Sequence, residues 1–305
     1  MRRAHSVICA VAAGITVLVT GCTHDTDTRA TPTAAHGAEP RELTYTEELR
    51  LSDAQQRLIA RCMAEQGFTY HVYRPLTVEE HHPVGYVQDD VAWAREHGYG
   101  SRIQAKAGQA RTGNPNIAYR KSLSEDRRRS YDAALGGGPE ARKLSADVPE
   151  GGTYHKRVGG CVAESEKRLY GDLETWFADD KTASRLQART MEAVLEDSRF
   201  TAAVERWSQC MRRAGHDLRD PGEAREAARR QAQQLPEKAA FVAEREVAAA
   251  DATCARETSL RTVAEEREAH HTDRLRGEYG DALETVRRIQ RNALARADKL
   301  IGRQP

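Results

Sequence analysis

Residues 62–68 read CMAEQGF and residues 210–216 read CMRRAGH. Both are Cys-Met-x-x-x-Gly, with an apolar residue three positions before the cysteine, Ile59 in one and Trp207 in the other. An apolar residue one turn ahead, and a glycine free to enter the left-handed region, place each stretch at a helix C-terminus. Two further cysteines open a weaker match: CVAESEKRL at 161 and CARETSLRT at 254 share Cys-x-x-Glu. One unit is then a helix ending in Cys-Met-x-x-x-Gly, an insertion, and a second helix bearing Cys-x-x-Glu. The insertion is long in the first unit (62 to 161) and short in the second (210 to 254). Four cysteines allow three connectivities, and the repeat favours Cys62–Cys161 with Cys210–Cys254. Each closed loop would contribute about 4–5 kcal/mol in the chain-entropy account. The motif fixes few residues, so chance coincidence is the competing explanation of the repeat.

Of six cysteines, Cys9 and Cys22 stand apart at the N-terminus. Arg2 and Arg3 precede the apolar run SVICAVAAGITVLV, and Thr20 and Gly21 are small residues ahead of Cys22. A basic start, an apolar segment and small residues are the three parts of a secretory signal. The apolar segment falls short of the about 20 residues that cross a bilayer comfortably. Val19-Thr20-Gly21-Cys22 resembles the lipobox of bacterial lipoproteins. That resemblance implies removal of residues 1–21, a diacylglycerol on the Cys22 thiol, and attachment of the new N-terminus to the outer face of the cell membrane by palmitate-like chains. Several acyl chains hold where one would not. An exported chain meets oxidising conditions, so Cys62, Cys161, Cys210 and Cys254 are expected as two disulfides. No Cys-x-x-Cys pair is present, which leaves a thioredoxin-like redox site and a cysteine-rich zinc site without support.

The 305 residues are 30% charged, 39% hydrophobic and only 6% aromatic, a highly charged, helix-leaning composition with a thin core. Formal charge is +1, and removal of Arg2 and Arg3 makes it −1 (+1 − 2). That balance gives no general pull toward nucleic acid or anionic lipid. Residues 22–43 are polar and rich in Pro, Ala and Thr, as expected of a flexible spacer. Helix is expected from Tyr45, with Ser52-Asp53-Ala54-Gln55 resembling a capping box and Gly67 supplying the stop. FTYHVY (68–73) alternates as a short strand or extended segment. Residues 74–122 are broken by Pro and Gly, with a short helix near 88–97; a helix capped by Ser124 ends at Leu135, and 136–160 reads as loop. Beyond it, helices are expected near 161–177, 181–196, 198–214, 221–234, 236–276 and 280–301. Phe241, Val247, Ala250, Cys254 and Leu260 form a narrow stripe on the long one. The whole is expected to be mainly α: a disulfide-stapled helical bundle with a long irregular insertion and little or no sheet. It divides into a helical unit at 44–177 that holds the insertion and a helical unit at 178–305 with long C-terminal helices.

The lipobox, CMAEQGF, GYGS, NPNIAYRKSLSEDRRRSYDAALGG and GGCVAE together resemble a group of uncharacterised lipoproteins of high-GC, spore-forming actinobacteria. The likeness spans most of residues 45–215. It implies export and anchoring, and it carries over no catalytic residue and no cofactor.

Candidate chemistry is sparse. His81-His82 follow Glu79 and Glu80, and His270-His271 follow Glu265, Glu266 and Glu268. Glu266 and His270 share a helix face, but His-Glu-x-x-His is missing and a solvated charged face is the better reading, so no metal ligands are expected. The run Arg127-Arg128-Arg129 beside Glu125 and Asp126 reads the same way. Neither a Gly-x-Ser-x-Gly elbow nor a phosphate-binding glycine loop occurs. Trp93, Tyr86, Tyr99, Tyr119 and Tyr131 could line a groove for peptide or glycan, with ordinary core anchoring the blander reading. Two functions follow as expectations. One is a non-enzymatic envelope module, tethered through Cys22, that binds a protein, peptide or wall polymer. The other is an envelope hydrolase acting on wall or peptide material with its site in residues 70–160, because loops on rigid scaffolds often carry sites.

Overall fold

Thr44 opens the first helix, α1 (Tyr45–Glu65): its hydroxyl accepts the Glu47 N–H, and the Glu47 carboxylate accepts the Thr44 N–H. The capping box is therefore here, and Ser52 lies inside the helix. The insertion holds α2 (Val91–His97), α3 (Ser101–Thr112), α4 (Pro115–Ser122) and α5 (Glu125–Gly136), then a hairpin of β1 (Arg142–Asp147) and β2 (Thr153–Val158). α6 (Gly160–Tyr170), α7 (Leu173–Glu196), α8 (Ser198–Arg213), α9 (Pro221–Ala232), α10 (Glu237–Glu257) and α11 (Leu260–Ile301) complete the chain. The structure is a computed structural model and describes residues 42–82, 84–149 and 151–301. The expected signal segment, Val19-Thr20-Gly21-Cys22 and the expected spacer as far as residue 41 lie outside the described residues.

The protein is mainly α, and both cysteine pairs are bonded as the repeat favours. Cys62–Cys161 joins α1 to α6 with Cα atoms 5.5 Å apart, and Cys210–Cys254 joins α8 to α10 at 5.6 Å. The two Cys-Met-x-x-x-Gly stretches fold alike. Gly67 and Gly215 take φ of 75° and 89°. Phe68 N–H then closes on Met63 C=O, and His216 N–H on Met211 C=O, both at 2.9 Å. This is the six-to-one bond of a Schellman end, and it satisfies carbonyls that the terminating helix would orphan. Met63 and Met211 are both fully buried. The weaker motif also has a spatial counterpart: Glu164 lies 3.5 Å from the Cys62 sulfur and Glu257 lies 3.4 Å from the Cys210 sulfur. Cys161 opens its helix, whereas Cys254 stands near the end of its own.

Four expectations along the chain are corrected. Residues 74–122 hold more helix than the one expected near 88–97: α2 lies within those bounds, started by Asp90 accepting the Trp93 N–H, and α3 and α4 are added to it, α4 started by Asn114 with Pro115 in the first turn. Residues 136–160 are not a loop. Leu144, Ala146 and Val158 of the antiparallel hairpin cover Phe177 of α7, and this period of two is short and flanked by glycines, which hid it. The glycines serve close approach: a Cβ on Gly160, whose φ is 59°, would meet the Ala134 carbonyl oxygen at 2.4 Å. The expected 161–177 helix breaks at Gly171, so α7 starts at Leu173. The expected 236–276 helix breaks at Ser259, where φ is 54°, and α11 then runs without interruption through residues 277–280. Leu260 is fully buried just past that break, in the core shared with Trp207 and Phe200. Of the two alternatives for residues 68–73, strand or extended segment, no strand forms. Asn116 serves as their partner, accepting the His71 N–H at 2.7 Å and donating to the His71 carbonyl at 2.9 Å.

The largest core gathers Trp207, Phe200, Met211 and Leu260 with small residues of α9 and α10. A second, between α1, α6 and the end of α11, holds Leu51, Leu58, Leu169 and Ala293. A third, around the first disulfide, holds Ile59, Met63, Phe68 and Tyr131. α11 packs on α1, α6, α7 and α8, so one long helix serves both stapled helix pairs. No helix among the described residues is long and apolar enough to cross a membrane.

Candidate functional site

Two concave sites emerge. The first is formed where the insertion meets α9 and α10. Gly100, the residue before α3, has no side chain to cap that helix. Glu244 of α10 does so from outside: it accepts the Tyr99 N–H at 2.8 Å, the Ser101 N–H at 3.1 Å and the Ser101 hydroxyl. Two helical turns along, α10 presents Asp251, which accepts the Tyr99 hydroxyl at 3.0 Å and the Trp207 indole N–H at 2.9 Å. Asp251 is 0% exposed. Burial pushes its carboxyl up to about 7, against the lowering pull of Tyr99, Arg225 and Trp207. Burial and the adjacent Asp251 also push the Tyr99 hydroxyl up. A cavity of about 200 Å³ opens beside this network, lined by Tyr99, Ser101, Gln104, Arg225, Arg229 and Glu244 over Val84, Ala228 and Ala232. Asp251 itself is sealed. It fastens the insertion to α8 and α10 and touches no ligand space.

The second site lies between the start of α1, the middle of α7 and α11. It is a cavity of about 360 Å³ with Leu43, Leu186, Met191, Leu283 and Val286 on its apolar wall. Glu42, Glu48, Asp180 and Glu268 bring carboxylates to it, with Arg287 as the one cation among the described lining residues and Gln187, Thr190, Thr272 and Gln290 as neutral polar groups. Arg287 pairs with Glu42 at 2.9 Å. Partial burial, and for Glu48 the neighbouring Glu42, raises the Glu48 carboxyl above its ordinary range. Partial burial also raises Glu268, where Glu265 and Glu42 add repulsion against Arg261. No ion pair among the described residues involves Glu48 or Glu268. The result is an amphipathic recess carrying under-compensated negative charge. No histidine, cysteine or lysine is among its lining residues.

The residues singled out in the sequence are dispersed. Tyr131 is 1% exposed and packs edge-on against Phe68 and Tyr119 in the third core. Trp93 is buried against His82 and His97, and Tyr86 packs on Phe200. These aromatics anchor the insertion; of the five, Tyr99 borders the first cavity, and Tyr86 borders a neighbouring recess of about 170 Å³ with Phe200 and Met191. His270 and Glu266 are exposed, but His271 is not on a solvated face: its Nε2 lies 3.0 Å from Asp197. Asp197 ends α7 and caps α8, accepting the Arg199 and Phe200 N–H groups and the Arg267 guanidinium. Burial alone would raise its carboxyl, and these donors together draw it down to about 2. In the arginine run, Arg127 stacks 4.3 Å from Phe68, and Arg128 donates to the carbonyls of Lys121 and Leu123 that end α4. Arg129 pairs with Glu125 and Asp126. Sequence reasoning missed Glu244, Asp251 and Glu48, and met Glu268 only as a neighbour of the His270-His271 pair.

No family model, curated protein or solved structure matches the chain.

Proposed function

We propose that this protein is a membrane-tethered, extracytoplasmic binding module, anchored through lipid on Cys22, that captures a cationic group in the recess between α1, α7 and α11. The observation that carries the binding reading is Glu48 and Glu268 standing, among the described residues, without ion-pair partners beside an apolar wall. A carboxylate raised by incomplete solvation gains most from a cation that replaces the lost water. The apolar wall suits the methylene stem of an amine or guanidine, as in a basic peptide or an amino-bearing wall polymer. Binding rather than hydrolysis fits the lining, which offers carboxylates and amides around an apolar floor. The extracytoplasmic placement is supported by the two disulfides and by the lipobox-like Val19-Thr20-Gly21-Cys22. The recess is tested by thermal shift and calorimetry on the oxidised chain with a diamine, a short lysine- and arginine-bearing peptide, and their acetylated or acidic counterparts. The cationic ligands should raise Tm in proportion to occupancy, and Glu48→Gln with Glu268→Gln should abolish the effect. Equal binding of the acidic counterparts, or binding unchanged in the double variant, would rule the recess out.

A further inference from the structure

We propose a second, separate site: a divalent transition-metal site of the zinc class made by Glu79, Glu96 and His97. Glu96 and His97 end α2, and Glu79 comes from the turn at 77–82. That turn is held by reciprocal bonds between Thr77 and Glu80 and is tied to α3 by Lys106, 2.7 Å from Glu80. His81 packs on Tyr45 at the start of α1, and His82 packs on Trp93 at 5.1 Å. Trp93 in turn lies 4.9 Å from the His97 ring, one helical turn away. The imidazole and the turn opposite it are thus both positioned by neighbours.

Three donor atoms converge: a carboxylate oxygen of Glu79, one of Glu96 and a ring nitrogen of His97 lie within 4.8 Å of one another. Each carboxylate is 3.9 Å from the imidazole nitrogen, beyond hydrogen-bond reach. Yet that nitrogen is buried and has no hydrogen-bond partner, a state native structures avoid. Donors bound to one cation at ~2.0–2.2 Å stand roughly 3–4 Å apart. The observed spacing is too long for direct bonds and close to that of donors sharing an ion. One imidazole with two carboxylates is a borderline donor set that suits zinc, whereas magnesium and calcium favour oxygen alone. Two carboxylates also match the charge of a dication. Both glutamate side chains are 71% exposed, so they can close by rotation and leave a position for water. The expectation of no metal site weighed the cysteines and the adjacent histidine pairs with the glutamates beside them in sequence; the donors here join Glu79 of a turn to a helix end instead.

The test is titration of the oxidised, metal-stripped chain from Cys22 onward with zinc by calorimetry near neutral pH, with cobalt(II) absorption as a second readout. One equivalent should bind, with tetrahedral or five-coordinate cobalt bands. Glu79→Gln, Glu96→Gln and His97→Gln should each weaken binding by at least about tenfold, while His155→Gln and His270→Gln leave it unchanged. Should His97→Gln lower Tm without metal, the two glutamate variants decide, because their side chains are exposed. Binding no tighter than millimolar, or binding that survives Glu79→Gln and Glu96→Gln together, would overturn the assignment.

Discussion

Asp251 shows how one side chain can organise an element that the sequence leaves obscure. It lies among Val247, Ala248, Ala252 and Cys254 on the buried face of α10, and Tyr99, Trp207 and Arg225 are the polar groups around it. Its folded carboxyl titrates at about 7, whereas an unfolded aspartate titrates at about 3.9. The folded state therefore holds a proton that the unfolded chain gives up. Its contribution to stability is complete below the unfolded value and is lost as pH rises through about 7. Wild-type protein should lose Tm between pH 5 and 8, and Asp251→Asn, which keeps an acceptor for Trp207, should flatten that slope. Parallel slopes would show that Asp251 does not carry the proton. Asp197 has the opposite sign: drawn down to about 2, it supports the α7–α8 junction until strong acid. A signal for the buried acids did exist, since Glu244 and Asp251 fall within the apolar stripe of α10. Among 46 acidic residues, however, only packing distinguishes these two.

At the scale of elements, helix ends were legible where glycine or proline marks them and illegible where tertiary contact decides. Gly67 and Gly215 closed α1 and α8 as their positions require, and Pro221 begins α9. The α10–α11 break carries no such mark. Thr258-Ser259 gives no strong stop, and the chain turns there because Cys254 is tied to α8 and Leu260 is drawn into the core. Phe241, taken for part of the buried stripe, instead lies at its edge between Arg102 and Arg245, at 3.7 and 5.6 Å. The break makes a discriminating prediction. Ser259 holds a left-handed backbone at φ 54°, so Ser259→Gly should stabilise by about 0.5–1 kcal/mol in denaturant unfolding. In a continuous helix the same change would destabilise by about 1 kcal/mol, and that outcome would contradict the break.

For the molecule as a whole, the helical class and the stapling came through in the sequence because local repeats encode them. The cation recess and the proposed metal site did not, because their donors come from separate segments: Glu48 with Glu268, and Glu79 with His97. A thin, aromatic-poor core leaves much of the stability to two crosslinks between helices that are far apart in sequence, and such crosslinks persist in oxidising surroundings. The account therefore rests on Cys22 being the lipid-bearing first residue of an oxidised chain. Mass spectrometry of the native protein from the membrane fraction tests this directly, intact and after non-reducing digestion. It should find a chain beginning at Cys22 with diacylglyceryl mass, no free thiol, and peptides linked Cys62–Cys161 and Cys210–Cys254. A chain that keeps Met1, an unmodified Cys22, or a Cys62–Cys210 linkage would contradict it.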